Sequence, residues 1–73
     1  MGLQHLQPGA QAVVIRVSGE AKLRSRLTEL GLVPGTKVKC RYRSPGGFVT
    51  ALEFRGAVLA LRTRDLRHIR VWY

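Results

Sequence analysis

The sequence has only one cysteine, Cys40, and only four acidic residues. A single thiol forms no internal disulfide, and Cys40 together with the two histidines, His5 and His68, does not supply the ligands of a structural zinc site. We therefore expect neither a metal site nor a bound cofactor. The fold has to be stabilised by side-chain packing and hydrogen bonds alone.

Long apolar runs are also lacking. No stretch approaches the roughly 20 apolar residues that a membrane helix requires, and the first residues lack the basic start and apolar run of a secretory signal. These absences predict a soluble, cytoplasmic protein with no direct insertion into the membrane. A chain of 73 residues is expected to form a single domain over 1–73, with only roughly 60% of its unfolded surface buried.

A catalytic constellation is missing as well. Nucleophilic catalysis needs a nucleophile, a base and an orienting group, and Cys40 falls on the apolar side of its segment. The pair Gly46-Gly47 follows a proline and precedes no Gly-Lys-Ser, so it is not a phosphate-binding loop. The acidic residues are scattered and form no acid–base pair: Glu20, Glu29, Glu53 and Asp65. We predict a binding protein and not an enzyme.

What the sequence has in excess is positive charge. Thirteen lysines and arginines give a formal net charge of +9 at pH 7. Such a charge attracts nucleic acid, acidic protein surfaces or anionic lipid headgroups, and it also keeps a protein in solution. Net charge alone does not choose among these roles.

The prolines and glycines predict a mostly β protein with short turns. All three prolines precede glycine, a pair typical of type II turns, and an apolar run follows each pair: Pro8-Gly9, Pro34-Gly35 and Pro45-Gly46. Short apolar or alternating runs predict five strands, at 12–17, 36–43, 48–54, 58–61 and 68–73. Residues 63–67 resemble a single helical turn. Together these segments predict a small, closed or nearly closed β-barrel.

One segment has helical periodicity. Leucines recur at the spacing of one helix face over residues 19–31, at Leu23, Leu27 and Leu30. Ser18 is a candidate N-cap, and Gly31 suits the left-handed residue that ends a helix. We predict one main α-helix, inserted after the first strand, with Leu27 among the most buried side chains.

The second predicted strand alternates between apolar and cationic residues. Alternation places Val38, Cys40 and Tyr42 on the inward side, and the next strand adds Phe48 to the inward set. The outward side then carries four cations spaced roughly 6.6 Å apart, which are Lys37, Lys39, Arg41 and Arg43. This row is either a partner-binding surface or a solvated face that prevents aggregation.

Three further residues are candidates for partner contact. Arg24 and Arg26 lie on the predicted helix, where arginines are usually solvated. Trp72 is predicted to face outward near the C-terminus, and exposed tryptophans favour interfaces.

The segment from Leu23 to Thr36 resembles the R-L-x-x-L-G-[LM]-x-P-G signature of the ferrous iron transport protein A (FeoA) family. Further matches occur in the same order, at Leu6-x-Pro8-Gly9, Gly56, Leu59–Arg62, Asp65-Leu66 and Ile69-x-Val71. The resemblance implies an SH3-like barrel with an inserted helix. It also implies a cytosolic accessory role in bacterial ferrous iron uptake, with the membrane transporter FeoB and its G domain as the partner.

A small nucleic-acid-binding barrel is the alternative function. It would use the same cationic strand, with aromatic side chains as stacking platforms. If Tyr42 and Phe48 face inward as predicted, few aromatic residues remain for stacking. The accessory role is therefore favoured.

Overall fold

The computed structural model describes all 73 residues, Met1–Tyr73. It has one α-helix, α1 (Ala21–Glu29), and two 3₁₀ turns, Leu3–His5 and Thr63–His68. Its five strands are β1 (Gln11–Val17), β2 (Lys37–Arg43), β3 (Val49–Phe54), β4 (Ala57–Arg62) and β5 (Ile69–Trp72). The prediction of a mostly β fold with five strands and one helix after the first strand is confirmed.

The strands form one antiparallel sheet in the order β4-β3-β2-β1-β5, which is folded into a small SH3-like barrel. Alternate side chains of the strands point inward and meet leucines from α1 and from the segments outside the strands. The residues of this single core are Leu3, Leu6, Ala12, Val14, Leu27, Leu32, Val38, Cys40, Leu52, Phe54, Leu66, Ile69 and Val71.

The helix is shorter than the predicted range of 19–31, and its N-cap residue is not the predicted one. Glu20 is the N-cap residue and makes no side-chain cap hydrogen bond. Ser18, the predicted cap, instead donates its hydroxyl to the carbonyl oxygen of His68 at 3.1 Å. Gly19 precedes the helix with a φ of 96°, a left-handed conformation that interrupts helical geometry. Leu27 is 3% exposed, as predicted.

A Schellman motif ends α1. The N–H of Leu32 donates to the carbonyl of Leu27 at 3.1 Å, and the N–H of Gly31 donates to that of Thr28 at 2.9 Å. Gly31 has a φ of 103°, and Leu32 is fully buried. The hydroxyl of Thr36 then donates to the carbonyl of Gly31 at 2.8 Å, so the turn after the helix is held from both sides.

A β-bulge in β2 breaks the predicted alternation. Cys40 pairs with Leu52 of β3, but the next pair is Tyr42 with Ala51, which leaves Arg41 as an extra residue. Beyond the bulge the two faces exchange, so the prediction of an inward Tyr42 is wrong: its side chain is 58% exposed. Arg43 correspondingly turns toward the interior and is only half-exposed.

Phe48 was also predicted to face inward, and that prediction is wrong. It lies in the β2–β3 loop, one residue before β3 begins, and is 79% exposed. The inward set of β3 therefore starts at Thr50 and continues through Leu52 to Phe54, all of them buried.

The N-terminal segment covers one edge of the sheet. Met1 and Val71 of β5 exchange backbone hydrogen bonds of 2.8 and 3.0 Å, and Gly2 forms a β-bridge with Arg70. Leu3 and Leu6 are buried in the core. The edge of β5 is thus paired, whereas β4 at the other end of the sheet has a partner on one side only.

Candidate functional site

Two of the four cations predicted on β2 remain free and outward. Lys37 is exposed and Lys39 is half-exposed, and neither forms an ion pair. Arg41 faces outward but donates to the carboxylate of Glu53 at 2.9 Å. Because both partners of this ion pair are largely exposed, it contributes little to stability, although it neutralises part of the charge of Arg41.

Arg43 was predicted to be an outward cation of β2, but its side chain has a structural role instead. Its guanidinium donates to the carbonyl oxygen of Leu6 at 3.0 Å and to the hydroxyl of Thr50 at 2.9 Å. These bonds connect the N-terminal segment to β2 and β3. The predicted outward row of four is therefore wrong in its last member, because the bulge at Arg41 turns Arg43 inward.

Cys40 is fully buried beneath this arginine. Burial raises the pKa of its thiol above the ordinary value of 9.0, and the nearby guanidinium of Arg43 partly opposes the shift. The thiol is therefore protonated at neutral pH, and thiols are weak nucleophiles in that form. Cys40 acts as a small core residue.

Trp72 and Lys37 lie on the same outward surface. Val13 of β1 pairs with Lys37 on one side and with Trp72 of β5 on the other. Directly paired residues of adjacent strands point to the same side of a sheet, and two strand spacings separate the outer pair by about 10 Å. Trp72 is 70% exposed, so an aromatic ring, an aliphatic side chain and an ammonium group form one row.

Arg55 extends this surface, and the sequence analysis missed it. It occupies the first position of the two-residue turn between β3 and β4 with a φ of 53°, and Gly56 follows with a φ of 77°. Positive φ at both positions is characteristic of a type I′ turn, in which asparagine is favoured at the first position. Arginine is unusual at that position, so the Arg55-Gly56 dipeptide was a signal in the sequence that could have identified this residue.

Two adjoining depressions contain the side chains of Lys37 and Arg55. The first also includes residues of β1, β2 and β3, and the second includes the turn that follows the Schellman motif. Their remaining lining residues are Gln11, Val38, Lys39, Glu53, Phe54 and Gly56 in the first, and Val33, Pro34, Gly35 and Thr36 in the second. We call the surface formed by Lys37, Lys39, Arg55, Val13 and Trp72 the basic face.

Arg24 and Arg26, the helical candidates, are exposed on α1. Arg24 donates to the carbonyl oxygen of Gly19 at 3.1 Å and so satisfies a backbone group at the start of the helix. Arg26 has no hydrogen-bond or ion-pair partner. It borders a shallow surface depression on α1 that shares no residue with the basic face.

Groups able to hold a metal do not converge. No three side chains among the histidines, cysteine and acids come close enough to hold one ion. The only helix, α1, has nine residues and is neither long nor apolar enough to cross a membrane. The chemistry that the surface offers is recognition: cations for carboxylates or phosphates, with an aromatic ring and apolar side chains beside them.

The exposed aromatic residues form two separate groups. Trp72 belongs to the basic face and Tyr73 follows it in the chain, whereas Tyr42 and Phe48 lie at the far end of β2 and in the loop after it. The strand distance from Lys37 to Tyr42 is about 16 Å. The expectation that Tyr42 and Phe48 would be unavailable for stacking was wrong, since both are exposed.

Comparison with known proteins gives consistent results for sequence and fold. The family model described as "FeoA domain" matches residues 1–72. The NMR structure of FeoA from Chlorobium tepidum is 35% identical, with a TM-score of 0.89 over 97% of this chain and 68% of that one. The FeoA-like protein from Clostridium acetobutylicum is 30% identical, with a TM-score of 0.91 over 99% of this chain and 84% of that one.

A third solved structure adds a description of fold. Stenotrophomonas maltophilia FeoA, crystallised with zinc, is 29% identical, with a TM-score of 0.85 over 97% of this chain and 88% of that one. That protein is described as a prokaryotic SH3 domain protein and as a candidate activating factor of bacterial ferrous iron transport. No curated protein matches the chain.

Proposed function

The chain belongs to the FeoA domain family, which is associated with ferrous iron transport, and on that premise we propose that it binds the cytosolic part of a FeoB-type ferrous iron transporter. It acts there as a small accessory protein in the cytoplasm, reaching the inner face of the membrane only through its partner. Its effect is on the nucleotide cycle or the assembly of the transporter's G domain.

The observation that carries this proposal is the composition of the basic face. Lys37, Lys39 and Arg55 lie on one side of an apolar pair formed by Val13 and Trp72. Protein interfaces commonly combine an aromatic anchor with a charged rim. Such a surface suits an acidic protein partner, in which the charges speed the encounter and the apolar pair holds the complex.

The proposal assigns no chemical step to this chain. Its single thiol is buried and protonated, and its histidines and acids do not converge. An accessory protein of this kind changes its partner's activity by binding one conformation of the partner more tightly than another. Nucleotide hydrolysis and iron translocation then belong to the transporter.

Nucleic-acid binding remains a second candidate because four aromatic side chains are exposed: Tyr42, Phe48, Trp72 and Tyr73. Stacking on such rings is the usual means of holding single strands. The geometry favours it less than the primary proposal, because the outward cations of β2 are reduced to a pair of free lysines and one arginine paired with Glu53.

Titrations at physiological ionic strength discriminate between the two candidates. Fluorescence from Trp72, the only tryptophan, reports binding to the transporter's cytosolic domain or to RNA and DNA oligonucleotides. We expect saturable binding to the transporter domain and only weak, low-salt binding to nucleic acid. A nucleic-acid binder using about three or four phosphate contacts would instead have a log–log salt slope of about −3 to −4. Tight nucleic-acid binding without transporter binding would reverse the assignment.

A further inference from the structure

The outer edge of β4 is open along the whole length of the strand. β4 is the terminal strand of the sheet and pairs only with β3. The opposite terminal strand, β5, is paired with the N-terminal segment through Met1 and Gly2. An unpaired strand offers a row of backbone donors and acceptors to any extended chain.

The phase of the β3–β4 ladder identifies which backbone groups are free. The N–H of Thr63 donates to the carbonyl of Phe48 at 2.9 Å, just beyond the last strand pair. Phe48 and Thr63 are therefore a hydrogen-bonded pair. Because bonded and non-bonded pairs alternate along an antiparallel ladder, Val58, Ala60 and Arg62 belong to the non-bonded pairs, and their backbone groups point away from β3. No other backbone or side-chain hydrogen bond uses these groups.

The usual devices that protect an edge are missing from β4. Its register with β3 runs without a bulge through six pairs, the strand contains no proline, and its only charged residue is Arg62 at the end. Its outward side chains are apolar along most of its length, with Val58 57% exposed and Ala60 exposed. Natural proteins commonly block such an edge with charge, proline or a bulge unless another chain covers it.

Positive charge is concentrated at one end of this edge. Arg62 ends β4, Arg64 follows it, and neither forms an ion pair. Both line a groove with the exposed ring of Phe48 and the glycines of the β2–β3 loop; the other lining residues are Gly46, Gly47, Val49 and Thr63. Apolar side chains that lead to two guanidiniums match a segment that carries both apolar and acidic side chains.

We propose that the free edge of β4 binds an acidic, extended peptide segment of a partner protein as an additional strand. The segment's backbone pairs with Val58, Ala60 and Arg62, while its carboxylates meet Arg62 and Arg64 beside Phe48. Two copies of this chain are poor candidates for such pairing, because each carries a net charge of +9. The inference rests on the proposed function only in treating the chain as a binding module, and it concerns a surface other than the basic face.

A peptide titration monitored by amide NMR tests this inference without the transporter. The probe is a capped heptapeptide of alternating glutamate and valine, and the control peptides replace glutamate by lysine or the central valine by proline. We expect the acidic peptide to shift the amide signals of Val58, Ala60 and Arg62 and to slow their hydrogen exchange. Both control peptides should have little effect.

Variants of the edge separate backbone pairing from general attraction. Ala60→Pro removes a free N–H and should weaken binding by more than about tenfold, whereas Ala60→Thr keeps the N–H and should bind as the parent does. Arg62→Gln with Arg64→Gln should weaken binding by about two- to tenfold and has no backbone effect.

Several outcomes would overturn the inference. These are peptide-induced shifts confined to the basic face, equal binding of the lysine peptide, an oligonucleotide that occupies β4 where the peptide does not, or pairing of β4 with a second copy. Binding of the acidic peptide at β4 without any binding of the transporter domain would refute the proposed function alone. Transporter binding without peptide binding at β4 would refute this inference alone.

Discussion

Truncating Leu27 should remove a large fraction of the protein's stability. Leu27 is the only buried side chain of α1, at 3% exposure, and it joins the helix to the core of the barrel. A buried leucine replaced by alanine costs about 2–5 kcal/mol through lost burial and the remaining cavity. A domain of 73 residues has a free energy of unfolding of about 4–11 kcal/mol. Leu27→Ala should therefore lower the free energy of unfolding by about half.

Leu30 provides a matched control on the same helix. It shares the periodic stripe with Leu27 but is 38% exposed, so Leu30→Ala should cost only about 1 kcal/mol. Urea denaturation monitored by circular dichroism gives both values, and an unchanged m-value confirms that the folded state is comparable. If Leu27→Ala costs no more than Leu30→Ala, the helix does not pack on the barrel as described.

Three other changes test local features by the same denaturation assay. Thr36→Val should cost about 0.5–1.5 kcal/mol, because it removes the hydrogen bond from the hydroxyl to the carbonyl of Gly31, which still accepts from the N–H of Val33; an effect near zero would contradict this. The free energy of unfolding should fall above pH 9 by up to about 1.4 kcal/mol per pH unit. The cause is the raised pKa of the buried Cys40 thiol, which makes the unfolded chain lose this proton at a lower pH than the folded protein does. Cys40→Ala should remove this contribution to the slope. Arg55→Asn should stabilise the fold by about 0.5–1 kcal/mol, because a left-handed residue costs about 1–2 kcal/mol and asparagine less; destabilisation would mean that the packing of Arg55 outweighs the strain.

Local chemistry was sufficient to predict the elements and their order. The glycines of all three Pro-Gly pairs have positive φ, at Gly9, Gly35 and Gly46, as turns of that kind require. Gly31 ends the helix in the predicted left-handed conformation, and the five strands begin and end within a residue or two of their predicted bounds. These features depend on neighbouring residues along the chain, so the sequence contains them directly.

Features that depend on pairing between distant segments could not be predicted. The bulge at Arg41 arises from the register of β2 against β3, and it exchanges the faces of Tyr42 and Arg43. A perfect alternation of residue types along β2 gives no indication of it. Leu3 and Leu6 are buried, yet they are too few and too near the end of the chain to form a recognisable pattern.

The candidate site was predicted in part. Lys37, Lys39 and Trp72 were identified as outward residues, and the structure places Lys37 and Trp72 in one row through Val13. That proximity depends on β1 lying between β2 and β5, which the sequence does not specify. Arg55 joins the same surface only because the β3–β4 turn lies beside the end of β2.

The central claim is that the basic face binds the transporter, and charge reversal tests it most directly. Lys37→Glu with Lys39→Glu changes two outward side chains of this face and should lower the free energy of unfolding by no more than about 1 kcal/mol, because Lys39→Glu places a second carboxylate opposite Glu53. Arg26→Glu with Arg67→Glu is the control, because these arginines are exposed on α1 and in the 3₁₀ turn before β5, outside the basic face, and the net charge changes equally.

Association of each variant with the transporter's cytosolic domain is measured by stopped-flow fluorescence at physiological ionic strength. We expect the lysine double variant to associate at least about tenfold more slowly than the arginine control, because charges at the rim of an interface mainly accelerate encounter. If both variants associate equally slowly, the effect comes from net charge and not from the basic face. If the lysine variant binds unchanged, the interface lies elsewhere and the account is contradicted.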